Sequence, residues 1–388
     1  MPYLDHAATT PLRADVLEAM LPYLREEFGN PSSLHGPGRR ARVAVERARD
    51  QVAAVLGAEP GELVFTSGGT EADNLALRGA LTGAALRETG RPGLVTSATE
   101  HEAVLQTARA LESEGHPVAV LSPGADGRLG ADAVAEAVTD ETGLVSVMLV
   151  NNETGAVNPV SEIAEAVRAR GARVHTDAVQ ASGLLPLDTG RLGVDLLSLS
   201  GHKIGGPKGV GALYVRAGTP FGAMQTGGSQ ERRRRGGTEN VAAIVGFGAA
   251  LTLAEAERQA HAARLGVLRS RLLDRVESAF GERVRINTPE ASSPHILNVS
   301  FHPGPSGALD GEMLLVALDL EGVHVSSGSA CTSGALEPSH VLLALGVPRE
   351  TAAATVRFSL GRGTTEADVD EAAAALARVV ERMAGATS

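Results

Sequence analysis

One cysteine in 388 residues, Cys331, excludes two common uses of sulfur. No internal disulfide can form, and no metal ion can be held by several thiolates. Tryptophan is absent as well. Long apolar runs are missing: the longest stretch of apolar residues and glycine, Val241 to Leu251, has 11 residues and is too short to cross a bilayer. The opening Met1-Pro2-Tyr3-Leu4-Asp5-His6 lacks the basic and apolar regions of a signal peptide, so a cytoplasmic protein is expected. Positive charge is in deficit. A formal net charge of −11 argues against a general nucleic-acid or anionic-membrane binder, although it leaves room for local basic patches. The glycine-rich turn Ser67-Gly68-Gly69-Thr70-Glu71 is not Gly-x-Gly-x-x-Gly and carries no Walker lysine, which weakens dinucleotide and nucleoside-triphosphate readings.

What is present is apolar and patterned. At 43% hydrophobic, the chain can build one large domain and a smaller one. Ala41, Val45, Ala48, Val52 and Val55 recur at helical spacing and predict a helix ending at Gly57. Strands are expected at 62–66, 94–95, 118–121, 144–150, 174–176, 194–199 and 210–215, mostly separated by helical stretches. That alternation predicts an α/β fold with a mostly parallel sheet covered on both faces. After about residue 262 the pattern changes to a smaller α+β unit, with strands at 284–286 and 296–301 and helices near 312–320 and from Glu366. The expected division is a large cofactor-binding domain over 14–261 and a small domain of 1–13 and 262–388.

In such folds chemistry gathers beyond the carboxyl ends of the strands. Lys203 stands there in Ser200-Gly201-His202-Lys203, where a lysine can form a Schiff base with an aldehyde cofactor or simply be solvated. Asp177 follows a strand with Gln180 three residues on; its carboxylate suits a pyridinium nitrogen, or the cap of a helix. Gly69 and Thr70 open a helix, where backbone N–H groups favour a phosphate. His101 begins another helix and offers a ring face, Asn152 an amide. Arg357 lies on a strand-like stretch, where it can clamp a carboxylate. The Arg232 to Arg235 run is either a solvated face or part of an anion-facing surface. A lone cysteine is more often a small buried hydrophobe. Cys331, however, sits in Ser326-Ser327-Gly328-Ser329-Ala330-Cys331-Thr332-Ser333-Gly334, with no large side chain to bury, and an accessible loop thiol is expected. Together these residues describe a pyridoxal-phosphate site with a sulfur nucleophile.

Nearly the whole chain resembles the cysteine desulfurases of the fold-type I, class V aminotransferase superfamily. The resemblance rests on Tyr3 to Pro11, Asn30 to Ser33, Thr66 to Asn74, Val150 to Glu153, Ser200 to Lys203, Gly236 to Asn240 and Ser326 to Gly334. The long Ser/Gly loop around Cys331 resembles the branch that serves iron–sulfur assembly and thiolation. The resemblance implies pyridoxal 5'-phosphate bound through Lys203, with His101 stacked on its ring, Asp177 on its nitrogen and Gln180 on its phenolic oxygen. Gly69, Thr70, Ser200 and His202 would bind the phosphate, joined by Thr238 from the second subunit of a homodimer. Asn152 and Arg357 would hold L-cysteine. Lys203 would move the α-proton, and Cys331 would take the sulfur as a persulfide and pass it to an acceptor such as an iron–sulfur scaffold, releasing alanine. No metal is implied. Competing readings are a selenocysteine lyase or another class V lyase or aminotransferase of the same fold, and a cofactor-less scaffold or interaction protein.

Overall fold

The computed structural model describes residues 1–305, 307–328 and 337–385. Cys331 lies outside the described residues. Ten strands form two sheets. The first seven are β1 (Leu63–Thr66), β2 (Gly93–Ser97), β3 (Val118–Leu121), β4 (Thr142–Ser146), β5 (Arg173–Asp177), β6 (Leu196–Ser200) and β7 (Gly211–Val215). They make one sheet in the order β1-β7-β6-β5-β4-β2-β3. Only β7 runs against its neighbours, so β1 is parallel to β6 across it. The other pairings are parallel. The carboxyl ends of β1, β2, β4, β5 and β6 therefore share one edge, and the loops after them converge.

Helices cover both faces because the strands are apolar on both sides. Six of the seven are buried along their whole length or all but one residue; β3, at the edge, is half-buried. The expected strand at 144–150 is shorter than the apolar run. Its ladder stops at Ser146, but the Val147 and Leu149 N–H groups still donate to His175 and Asp177 carbonyls of β5. The chain then turns, so this part of the run is buried as a loop beside the sheet end. Gly57 closes the helix Gly36–Leu56 in the left-handed conformation at φ 62°.

The second sheet, β8 (Val284–Ile286), β9 (Ile296–Phe301) and β10 (Thr355–Ser359), is antiparallel in the order β10-β9-β8. One helix of 40 residues, Val241–Phe280, reaches from one sheet to the other. Its first turns bring Ala243, Ile244, Phe247, Ala250 and Leu251 into the core of the large sheet. Its last turns bring Leu265, Leu268, Leu272, Val276 and Phe280 into the core of the small one. The N-terminal segment returns to the small sheet: Leu4 is buried there, and the His6 N–H donates to the Ser359 carbonyl. Residues 3–10 are thereby drawn along the loops that follow β6. No helix among the described residues is long and apolar enough to cross a membrane.

Candidate active site

Lys203 ends the single turn Gly201–Lys203 that follows β6. Its Nζ donates to the Ala7 carbonyl and, at 2.8 Å, to that of Ala8. Burial and, next, the nearby Arg357 cation depress its pKa to about 8, against the opposing pull of Asp177 and Asp5. A part-buried amine tuned this way is a ready nucleophile and base near neutral pH. It is also one of only two lysines in the chain, the other being the exposed Lys208. That scarcity is a compositional signal the motif reading passed over.

Asp177 ends β5 and is buried, accepting from the Val179 N–H at 2.9 Å. Burial pushes its carboxyl up, while His101 and the Val179 N–H pull it down. Two further buried carboxyls, Asp73 and Glu100, lie close enough to oppose its charge. Both are driven well above the usual carboxylate range, first by burial. Sequence reasoning missed these two, because each looks like an ordinary residue at a helix edge. A cation beside Asp177 is the obvious relief for this concentration of acid, and a protonated pyridine nitrogen is one.

His101 is the exposed N-cap of the helix Glu102–Ser113, and its Nδ1 accepts from the Ala103 N–H at 3.1 Å. That bond leaves the proton on Nε2 and fixes the ring's orientation. Gln180 is buried and donates through Nε2 to the Ala7 carbonyl at 2.9 Å. Ala7 thus receives both Gln180 and Lys203. Backbone acceptors of this kind carry no side-chain signature, and nothing in the sequence marked them.

The turn after β1 is a cradle. Thr66 donates through Oγ1 to the Gly68 carbonyl at 3.0 Å, and the helix Gly69–Leu81 starts beyond it. Gly68, at φ 154°, adopts a conformation that side chains rarely tolerate. A Cβ on Gly69 would lie 3.0 Å from Val179 Cγ2. One on Gly68 would lie 4.0 Å from Ser200 Oγ, which is itself buried without a hydrogen-bond partner among the described residues. An orphaned hydroxyl facing free helix N–H groups fits a phosphate oxygen. His202 sits behind, its Nδ1 3.1 Å from Thr9 Oγ1, with a pKa lowered to about 4 mainly by burial, so it is neutral. The residues present therefore fit pyridoxal phosphate at both ends of the molecule.

Arg357, on β10, is buried and faces the same loops. Its Nη1 donates to the Asn152 carbonyl at 2.8 Å. Its Nη2 donates to Asp5 at 2.8 Å and to Ser326 Oγ at 2.9 Å. Its Nε and Asn152 Oδ1 are buried and have no hydrogen-bond partner among the described residues. An incoming carboxylate must therefore compete with Asp5 for the guanidinium, an interaction across 352 positions that the sequence could not announce. Thr238 is exposed and makes no hydrogen bond to the described residues. Three of the four side chains of the arginine run have partners within the chain, and Arg233 is exposed. Arg232 and Arg234 donate to the carbonyls of Pro60 and Gly61, and Arg235 pairs with Glu71.

Known proteins are similar to this chain over nearly its whole length. The aminotransferase class-V family matches residues 2–372. The cysteine desulfurase IscS of Dictyoglomus turgidum is 45% identical over 382 residues, 98% of this chain and 95% of that one. A solved NifS-like protein superimposes with a TM-score of 0.90 at 37% identity, covering 98% of this chain and 100% of that one. A structure described as SspA in complex with cysteine gives a TM-score of 0.80 at 34% identity, over 93% of this chain and 99% of that one. The chain belongs to the class-V aminotransferases and, within them, to the cysteine desulfurases, a pyridoxal-phosphate-dependent family of fold-type I.

Proposed function

We propose that this protein takes sulfur from L-cysteine, releases L-alanine and carries the sulfur as a persulfide on Cys331. Lys203 carries the reading: an amine with a pKa of about 8, at a sheet end, between the charges of Asp177 and Arg357. Bound pyridoxal phosphate supplies an electron sink for the α-carbon of the substrate. Lys203 would hold that group and, as a free amine, would be the base for the α-proton. Asp177 keeps a negative charge at the ring nitrogen, and His101 offers its ring face. Gly69, Thr70, Ser200 and His202 hold the phosphate, and Gln180 the phenolic oxygen. Arg357 and Asn152 hold the substrate, and the free Arg357 Nε supports a carboxylate contact there.

Cys331 then attacks the substrate sulfur as a thiolate. A sulfur–sulfur bond forms as the carbon–sulfur bond breaks. The electron pair stays with the carbon fragment, which takes up a proton at the β-carbon and recovers the α-proton from Lys203 to become alanine. The persulfide passes to an acceptor protein, such as an iron–sulfur scaffold, in the cytoplasm. Exposure of Thr238, with no hydrogen bond to the described residues, supports a homodimer in which Thr238 completes the partner's phosphate site. In this reading 14–261 hold the cofactor, and 1–13 with 262–388 carry the sulfur-accepting cysteine.

Cys331→Ser tests the reaction directly. The variant should bind cofactor and L-cysteine yet release no alanine. Wild-type protein given L-cysteine should gain about 32 Da, one sulfur, on the Cys331 peptide. Normal turnover by the serine variant would leave only a generic pyridoxal-phosphate lyase.

A further inference from the structure

Glu71 presents an electrostatic problem. It lies in the first turn of the helix Gly69–Leu81, and its Oε2 accepts the Ser67 N–H at 2.7 Å, closing the turn that carries Gly69 and Thr70. The cradle needs that acceptor for its shape. The same carboxylate sets a negative charge beside the place where a phosphate would sit. Its partner is Arg235, which donates from Nε to Oε1 at 2.8 Å and from Nη2 to Oε2 at 3.2 Å.

Arg235 reaches Glu71 through a strained turn. Glu231, Arg232 and Arg233 have φ of 46°, 55° and 65°, three consecutive left-handed residues without a glycine among them. Such a conformation costs roughly 1 kcal/mol or more at each residue and persists only where the surroundings over-determine it. Here they do. Glu231 is buried, and its carboxylate accepts from Arg49 Nη1 at 3.0 Å, Arg49 Nη2 at 2.7 Å and the Phe65 N–H at 2.9 Å. Arg49 lies over the Phe65 ring at 4.7 Å and donates to the Leu63 carbonyl at 3.0 Å. Both anchors are in β1, the strand that leads into the cradle. The turn is thus fastened to the strand that carries the cradle at one end, and to the cradle's own helix at the other.

We propose that Arg235 is a positioning residue of the cofactor-phosphate cradle: it lets Glu71 shape the turn while cancelling the charge with which Glu71 would repel the phosphate, and the turn Glu231–Arg233 serves to deliver it. The proposal rests on the reading of Gly69 and Thr70 as phosphate ligands. It also explains why an exposed-looking arginine run contains one half-buried, bidentate member.

The test compares pyridoxal 5'-phosphate with pyridoxal, which has the same ring and aldehyde but no phosphate. Equilibrium binding of each to cofactor-free protein is followed by the absorbance gained when Lys203 captures the aldehyde. Arg235→Gln should weaken pyridoxal phosphate about tenfold, the scale of one uncompensated neighbouring charge, and leave pyridoxal unchanged. Glu71→Gln keeps the acceptor for Ser67 and should bind pyridoxal phosphate as tightly as wild type or more so. The double variant Glu71→Gln/Arg235→Gln should return to within about twofold of wild type, because neither charge remains. Equal weakening toward both ligands, or failure of the double variant to recover, overturns the proposal in favour of a purely structural pair. Should Arg235→Gln not fold, Glu71→Gln decides: weaker binding than wild type overturns the proposal. Thr70→Val separates the proposal from the reading beneath it. If Thr70→Val loses the preference for phosphate and Arg235→Gln keeps it, the proposal fails alone. If both keep it, the cradle itself lies elsewhere.

Discussion

Lys203 should capture an aldehyde with a pH dependence set first by burial and then by three charged neighbours, Arg357, Asp177 and Asp5. An ordinary lysine has a pKa of 10.5, and this one is held at about 8. At pH 7 the neutral fraction is then about one-tenth rather than about three in ten thousand, a gain of roughly 300-fold in reactive amine. Because the pKa is depressed, the neutral form grows as pH rises and is mostly reached by about pH 9. The rate at which cofactor-free protein captures pyridoxal phosphate, read by stopped-flow absorbance, should climb through a midpoint near 8. Borohydride fixes the product, and mass spectrometry should find it on Lys203. Lys208, the only other lysine and an exposed one, is an internal reference on the same chain.

The direction of shift in two variants makes the argument refutable. Arg357 depresses the Lys203 pKa, so Arg357→Gln should move the midpoint up. That move is reinforced by Asp5, which loses its ion-pair partner and pulls the same way. Asp177 raises the Lys203 pKa, so Asp177→Asn should move the midpoint down. A wild-type midpoint at or above about 10, or shifts in the opposite senses, would show that neither burial nor these charges tune the amine.

Further outcomes follow from the same contacts. Asp177→Asn should retain some cofactor but turn over far more slowly, since a neutral amide cannot hold the ring proton; unchanged kcat removes Asp177 from the mechanism. Arg357→Ala should raise KM for cysteine about ten- to hundredfold with a smaller effect on cofactor binding, given the worth of a charge-assisted pair; an unmoved KM makes Arg357 structural. Arg233→Gly should raise thermal stability by about 0.5–1 kcal/mol, because the side chain is exposed and its φ of 65° favours glycine; a fall in Tm refutes the strain. His295 is buried, and burial holds its pKa at about 3, so below about 6.5 the unfolded chain binds a proton that the native state refuses. It thus costs the native state about 1.4 kcal/mol per pH unit as pH falls from 6.5 toward 3, and urea titrations of His295→Asn at pH 6 and 4.5 should show a shallower loss than wild type.

The sequence disclosed the parts of this site that combine a reactive group with a strand end. Lys203, Asp177 and Ser200 each close or follow an apolar run, and the parallel topology brings those ends together whatever the loops do. The register of residues 3–10 was not legible. Their contribution is largely carbonyls, from Ala7 and Ala8, and a carboxylate on Asp5, meeting residues nearly 200 to over 350 positions away. No local pattern encodes such a meeting; it exists because Leu4 packs beneath the small sheet. The buried acids Asp73 and Glu100 were hidden for a related reason. A carboxyl whose pKa burial pushes up has the same letter as one on a solvated helix face.

The arginine run shows the opposite case, a conspicuous pattern whose meaning the sequence left open. Four adjacent cations suggested either a solvated face or part of an anion-facing surface. The left-handed path through Glu231, Arg232 and Arg233 instead sends successive side chains in different directions. Arg232 and Arg234 clasp the carbonyls of Pro60 and Gly61, while Arg235 turns to Glu71. The residue that organises them is the acid before them, because Glu231 alone is buried and its partners belong to other elements. A charge block is thus read correctly only once the backbone is known. For an acid that immediately precedes such a block, the question to ask first is where its carboxylate is buried.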